Sequence, residues 1–234
     1  MRETNPVFAL VRRDRMTARI RRPLIRAVAA LTMSYLVLLL FPEPVFAHSE
    51  SHRGITFYSR TPLPSGLDAI AEDVVARLSV SPLYRAEATH RIFITESPAL
   101  YALFNGPYRR AMARNVEIGH AIFVPRLDVA SGRLVHFDGR STPAAAVLAH
   151  EIMHTFMTER LGVIASWRLP WWKREGYPEY IGSRGGTELD SPPAYRNAAL
   201  RWKDLLERGV PFEGKSRHVR WATVQIPFMA EILG

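Results

Sequence analysis

The sequence predicts an α+β fold: a small, mostly antiparallel sheet followed by a mainly helical half. Three observations point to it. Short β-type runs at 55–58, 91–95 and 118–124 fall in the first part of the chain. From Thr142 onward apolar residues recur at helical spacing. Strands grouped first and helices grouped afterwards, rather than in strict alternation, is the order of an α+β domain.

The elements follow in chain order. Residues 1–26 hold Arg12, Arg13, Arg15, Arg19, Arg21, Arg22 and Arg26, and residues 27–41 are apolar and uncharged. Pro42 and Pro44 then break the run ahead of Val45-Phe46-Ala47. Basic, apolar, then small-residue cleavage site is the order of an export signal, so residues 1–47 are expected to be a signal peptide or an N-terminal membrane anchor. In either case the arginines stay on the cytoplasmic side and the body crosses the cytoplasmic membrane, to be periplasmic, secreted or anchored facing outward. Residues 48–53 read as a linker, and 54–234 as the domain.

Within the domain, 55–58 is a short strand, and Leu67–Leu78 is a helix with Asp68, Glu72 and Asp73 on its polar side. A second strand spans 91–95. A short helix over 98–104 ends at Asn105-Gly106-Pro107. Strands at 118–124 and 134–137 flank a turn at Ser131-Gly132. The next helix takes Thr142 as N-cap and Pro143 as its first residue, runs over Ala144–Leu161, and stops at Gly162. Further helices are expected at 174–181, 193–208 and 220–233, with a Gly/Ser/Pro-rich loop over 182–192.

Charge narrows the function. The formal net charge is +9, yet residues up to Ala47 carry eight arginines and only three acids. The remainder holds 23 basic and 19 acidic residues, and no aromatic-interleaved basic motif, so nucleic acid is not an expected partner. With no cysteine, disulfides, thiolate ligands and a cysteine nucleophile are excluded. No Gly-x-Ser-x-Gly elbow is present, which argues against a serine hydrolase.

His150-Glu151-Ile152-Met153-His154 carries the chemistry. Histidines four apart on a helix project from one face, about one turn apart, and can grip one zinc ion. Glu151 lies beside them, placed to reach a metal-bound water without being a ligand. This is the His-Glu-x-x-His pattern of zinc peptidases. Ala145, Val147, Leu148, Ala149, Ile152, Met153, Phe156 and Met157 make the helix apolar nearly all round, so it is buried. Buried polar groups need partners. A shared metal would satisfy them, as would a hydrogen-bonded pair of core histidines. Glu159, about 140° round from His154, faces elsewhere.

Downstream, Trp172, Glu175, Gly176 and Tyr180 stand in a Trp-x-x-Glu-Gly-x-x-x-Tyr arrangement. Together with the histidine motif this resembles the gluzincin branch of the zincin metallopeptidases. The resemblance implies a zincin-like fold, Zn2+ as cofactor and Glu175 as third ligand, with Glu179 supporting a bound histidine. It also implies a strand before the zinc helix, placed at 118–124, that receives the backbone of a peptide or protein substrate. Pro178 departs from a plain helix and is expected in a first turn or at a shifted helix start. Without a metal, Glu175 and Glu179 would be a solvated helix face.

On this reading Glu151 is the general base. The tetrahedral intermediate needs a donor, for which His218, Tyr177, Tyr180 and Tyr195 qualify and His218 is preferred. Two rival readings use the same residues. One is a zincin-shaped envelope binding or assembly protein with little turnover. The other is a membrane-tethered structural protein with no metal. Bound zinc and Glu151-dependent hydrolysis separate them.

Overall fold

The computed structural model describes residues 6–188 and 191–208, with side chains from Pro23 onward except that of Ile118. His218 and the helix expected at 220–233 lie outside the described residues. The chain divides into two units, Met1–Pro42 and Glu43–Gly234. In the first, helix α1 spans Pro6–Leu40. Its stretch Pro23–Leu40, 18 residues of mean hydropathy 1.9, is long and apolar enough to cross a membrane and is compatible with a signal sequence or an anchor.

The second unit is α+β. A five-stranded sheet holds β1 (His48–His52), β2 (Ile55–Ser59), β3 (His90–Ile94), β4 (Arg114–Val116) and β5 (Ala121–Val124) in the order β1-β2-β3-β5-β4. A smaller antiparallel sheet holds β6 (Leu127–Asp128), β7 (Arg133–Val135) and β8 (Ser141–Pro143). The helices are α2 (Leu67–Leu78), α3 (Pro98–Asn105), α4 (Ala144–Leu161), α5 (Val163–Arg168), α6 (Trp171–Gly182) and α7 (Pro193–Glu207).

The larger sheet departs from the mostly antiparallel expectation. Its central pairs, β2·β3 and β3·β5, are parallel, and only the outer pairs are antiparallel. The cause is the long connections, through α2 between β2 and β3 and through α3 and β4 between β3 and β5, since parallel neighbours require a crossover. Residues 48–53 are no linker either. β1 pairs along its whole length with β2, from His48↔Ser59 to His52↔Ile55. Arg53 and Gly54, both at positive φ, close the hairpin in two residues, as a mirror-image turn requires. The strand escapes sequence reading because His-Ser-Glu-Ser-His is polar on both faces and sits exposed at a sheet edge.

Period-two alternation gives the sheet two buried faces. Ile55, Phe57, Ile92, Ile94, Ile122 and Val124 belong to the main core with Leu67, Ile70, Val74, Leu148 and Ile152 from α2 and α4. On the other face Phe93 stacks with Tyr58 and Phe123, and Phe104 of α3 stacks on Phe123 at 4.4 Å. α4 thus packs into this core, with α2 and α6 as its main helical neighbours.

Candidate metal centre

α4 starts where the sequence places it, but by a different device. Thr142 belongs to β8, opposite Leu134, and Pro143 is the N-cap. The first helical N–H, of Ala144, donates to the carbonyl of Gly132 at 2.8 Å, so the β6–β7 connection caps the helix. Gly162 at φ +84 ends it. α6 packs across α4, and two glycines set the distances. A Cβ on Gly182 would lie 2.6 Å from the carbonyl oxygen of Ala146 and 3.4 Å from Cβ of His150. One on Gly176 would lie 2.8 Å from the carbonyl oxygen of Ala198 in α7. Pro178 is in the interior of α6, which begins at Trp171.

This packing brings His150, His154 and Glu175 together, with one ligand atom of each within 4.8 Å of the others. Nε2 of His154 is 3.2 Å from Nε2 of His150, and Oε2 of Glu175 is 3.4 Å and 3.5 Å from them respectively. The three atoms form a nearly equilateral triangle. Three protein atoms held by one zinc at roughly 2.0–2.1 Å in tetrahedral geometry stand about 3.3–3.4 Å apart. The donor set fits such an ion. Two imidazole nitrogens facing each other at 3.2 Å also need something between them, a proton or a cation. The cluster could hold a metal ion.

The surrounding groups orient the cluster. His150 Nδ1 lies 3.1 Å from Oε2 of Glu179, one helical turn beyond Glu175. Arg174 donates from Nε to the second oxygen of Glu175 at 3.1 Å, leaving the first to face the histidines. Burial opposes charge on His150, yet its hydrogen bonds to Glu175 and Glu179 outweigh this and its pKa is pushed up to about 10. For Glu175 burial is likewise outweighed, and the two imidazoles hold its carboxyl far below the usual range. Glu179 is lowered too, against burial, by His150. Glu151 goes the other way: burial raises its pKa despite the attraction of His150 and His154.

The cluster opens into a cleft of about 1350 Å³ lined by Arg114, Asn115, Trp167, Trp171 and Tyr195 among others. Of the tyrosines, Tyr195 lies at the site, its ring 6.2 Å from that of His150 and 5.1 Å from that of Trp171. Tyr177 is fully buried, its hydroxyl 2.8 Å from Ser81. The Tyr180 ring packs on Tyr177. Glu159 points away, paired with Arg85 and, at 3.1 Å, with His120. The strand expected at 118–124 begins only at Ala121, because a 3-10 turn covers Glu117–Gly119 and His120 adopts φ +50. Moreover β5 is internal to the sheet. The edge nearest the cleft is β4, which sequence reading missed because three residues carry no alternation to read.

Comparison with protein-family models, with curated proteins and with solved structures finds no match.

Proposed function

We propose that this chain is an exported zinc metallopeptidase of the gluzincin type, with a zincin-like arrangement of edge strand, zinc helix and glutamate-bearing helix. The observation that carries the reading is the triangle of His150, His154 and Glu175 donor atoms, 3.2–3.5 Å on a side, at the floor of an open cleft. Two imidazoles and one carboxylate with an open fourth position is the ligand set of catalytic rather than structural zinc.

When bound, zinc supplies Lewis-acid polarisation of the scissile carbonyl and brings a water's pKa toward neutrality. The chain's own residues do the rest. Glu151, its basicity increased by burial, takes the proton of the attacking water and returns it to the leaving amine. Glu179 accepts from the Nδ1 side of His150 and fixes that ring, so Nε2 faces the site. Tyr195 replaces His218 as the preferred donor to the developing oxyanion among the described residues, because it lines the cleft beside His150. β4, with one sheet neighbour among the described strands, offers its other edge to an extended peptide.

The test is metal analysis of the purified full chain paired with a peptide-library cleavage assay. The expected result is one zinc per chain and cleavage that Glu151→Gln lowers by at least about 10²–10⁴-fold with zinc still bound. Absence of zinc after reconstitution, or near wild-type cleavage by the variant, overturns the proposal. Zinc without cleavage in any peptide favours the binding or assembly reading.

A further inference from the structure

We infer that the chain is not processed after Ala47: residues 43–47 are part of the folded body, and α1 stays attached as a membrane anchor. In sequence, Val45-Phe46-Ala47 has the small-residue pattern of an export cleavage site. In the structure Phe46 belongs to the core, while Val45 is half-buried and Ala47 exposed. Glu43–Val45 form a 3-10 turn, and the Phe46 N–H donates to the carbonyl of Glu43 at 2.9 Å. The Phe46 side chain is only 8% exposed, its ring 5.0 Å from Phe93 and 6.0 Å from Phe104. The carboxylate of Glu43 pairs with the guanidinium of Arg91 on β3.

Phe46 is therefore the piece that closes the second face of the sheet, where Phe93, Phe104 and Phe123 have no exposure at all. Cleavage after Ala47 would remove it and Glu43 together. It would open an aromatic layer to water and remove the Glu43–Arg91 pair, in a body delivered to an aqueous compartment. A chain built to be cut there would not place a core residue on the discarded side.

The apolar stretch allows it. Export signals that are removed carry an apolar core of roughly 7–15 residues, and the uncharged run 27–41 stands at the top of that range. The helical window Pro23–Leu40, 18 residues with Arg26 near its start, is compatible with a signal or with an anchor. At 1.5 Å per residue it measures about 27 Å, close to the roughly 30 Å hydrocarbon core of a bilayer. The arginines precede it, which holds the N-terminus in the cytoplasm and puts the metal cluster on the far side. The argument is independent of what the cluster does.

The full chain, expressed in a bacterium with a C-terminal tag, tests this by intact mass and N-terminal sequencing. The expected result is an uncut chain that stays with the membrane after a high-pH carbonate wash. Its mass should differ from that of Ala47→Arg, which blocks cleavage, only by the substitution. A new N-terminus at His48, or anywhere between Phe41 and His48, overturns the inference. In detergent, full-length Phe46→Ala should unfold about 10 °C below the parent chain, and Phe46→Leu by less. If both variants keep the parent midpoint, residues 43–47 are not part of the body and the inference falls even where the chain is uncut.

Discussion

The side-chain amide of Asn115 donates to the main-chain carbonyl of Glu151 at 2.5 Å and to the hydroxyl of Thr155 at 2.9 Å. One side chain on edge strand β4 thus grips two successive turns of α4. The residue proposed as general base and the strand proposed to receive the peptide are fixed in mutual register by a single amide. Asn115→Ala should cost about 0.5–1.5 kcal/mol of stability, the usual worth of such bonds. Zinc affinity should hold, since the three ligands are untouched, while cleavage falls through poorer alignment. Urea denaturation, chelator competition and rate measurement on one preparation decide it. A parallel loss of zinc would show that Asn115 only supports the fold.

Metal affinity should follow a set order. Removing a ligand in His154→Ala or Glu175→Ala should abolish tight binding. Glu179→Ala, which leaves all three ligands but frees His150 Nδ1, should weaken it by about 10–100-fold. Tyr195→Phe should leave it unchanged. Competition against a chromophoric chelator gives all four values. Equal affinity for Glu179→Ala and the parent would remove Glu179 from the site.

Gly182→Ala should damage the centre without touching a ligand. Its Cβ would meet the Ala146 carbonyl at 2.6 Å, a backbone atom that cannot turn aside. α6 must then move off α4, carrying Glu175 and Glu179 away from His150. The expected cost is about 1–3 kcal/mol together with weaker zinc binding. Gly176→Ala strains the α6–α7 contact instead, so it should lower stability with less effect on zinc. Thermal unfolding and the chelator assay compare the two. The opposite ranking for zinc would place the critical contact at α7.

The centre was legible because its parts are local in sequence. His150 and His154 need only one turn of helix, and Glu175 with Glu179 need only another. Leu67–Leu78 was legible to the residue, since its amphipathic period is intact. What sequence hid is pairing without periodicity. β1 is polar on both faces, β4 and β8 are three residues long, and Thr142 looks like a helix cap although it pairs with Leu134. Asn115 carries no signal at all, because its role exists only once β4 lies beside α4. The parallel centre of the sheet follows from which strands the stretches holding α2 and α3 connect, and strand spacing alone does not state it. Phe46 reads in sequence as part of a cleavage site, since a local motif cannot reveal a long-range aromatic contact.

Acid should destabilise the fold through His90, which is none of the candidate metal ligands. His90 is 4% exposed, and neither ring nitrogen has a hydrogen-bond partner among the described residues. The ring meets Phe156 edge-on at 5.2 Å and stacks on His120 at 5.7 Å. Burial first, then the neighbouring His120 and Arg85, push its pKa down to about 4, while Glu159 is occupied by those same two residues. The sign follows from proton counting. Unfolded, the imidazole takes its proton near the ordinary 6.5; folded, it takes it only near 4. Between those values the unfolded chain binds more protons, so stability falls as pH falls. Above about 6.5 the contribution is complete, and below about 4 it is gone. A shift of this size corresponds to about 3 kcal/mol. His90→Phe keeps the apolar packing and removes the proton site. Its unfolding free energy should therefore decline less than the parent's between pH 6.5 and 4. Urea titrations with chelator present throughout keep metal loss from mixing with the effect. If both proteins lose stability in parallel over that window, His90 is not the group that acid attacks.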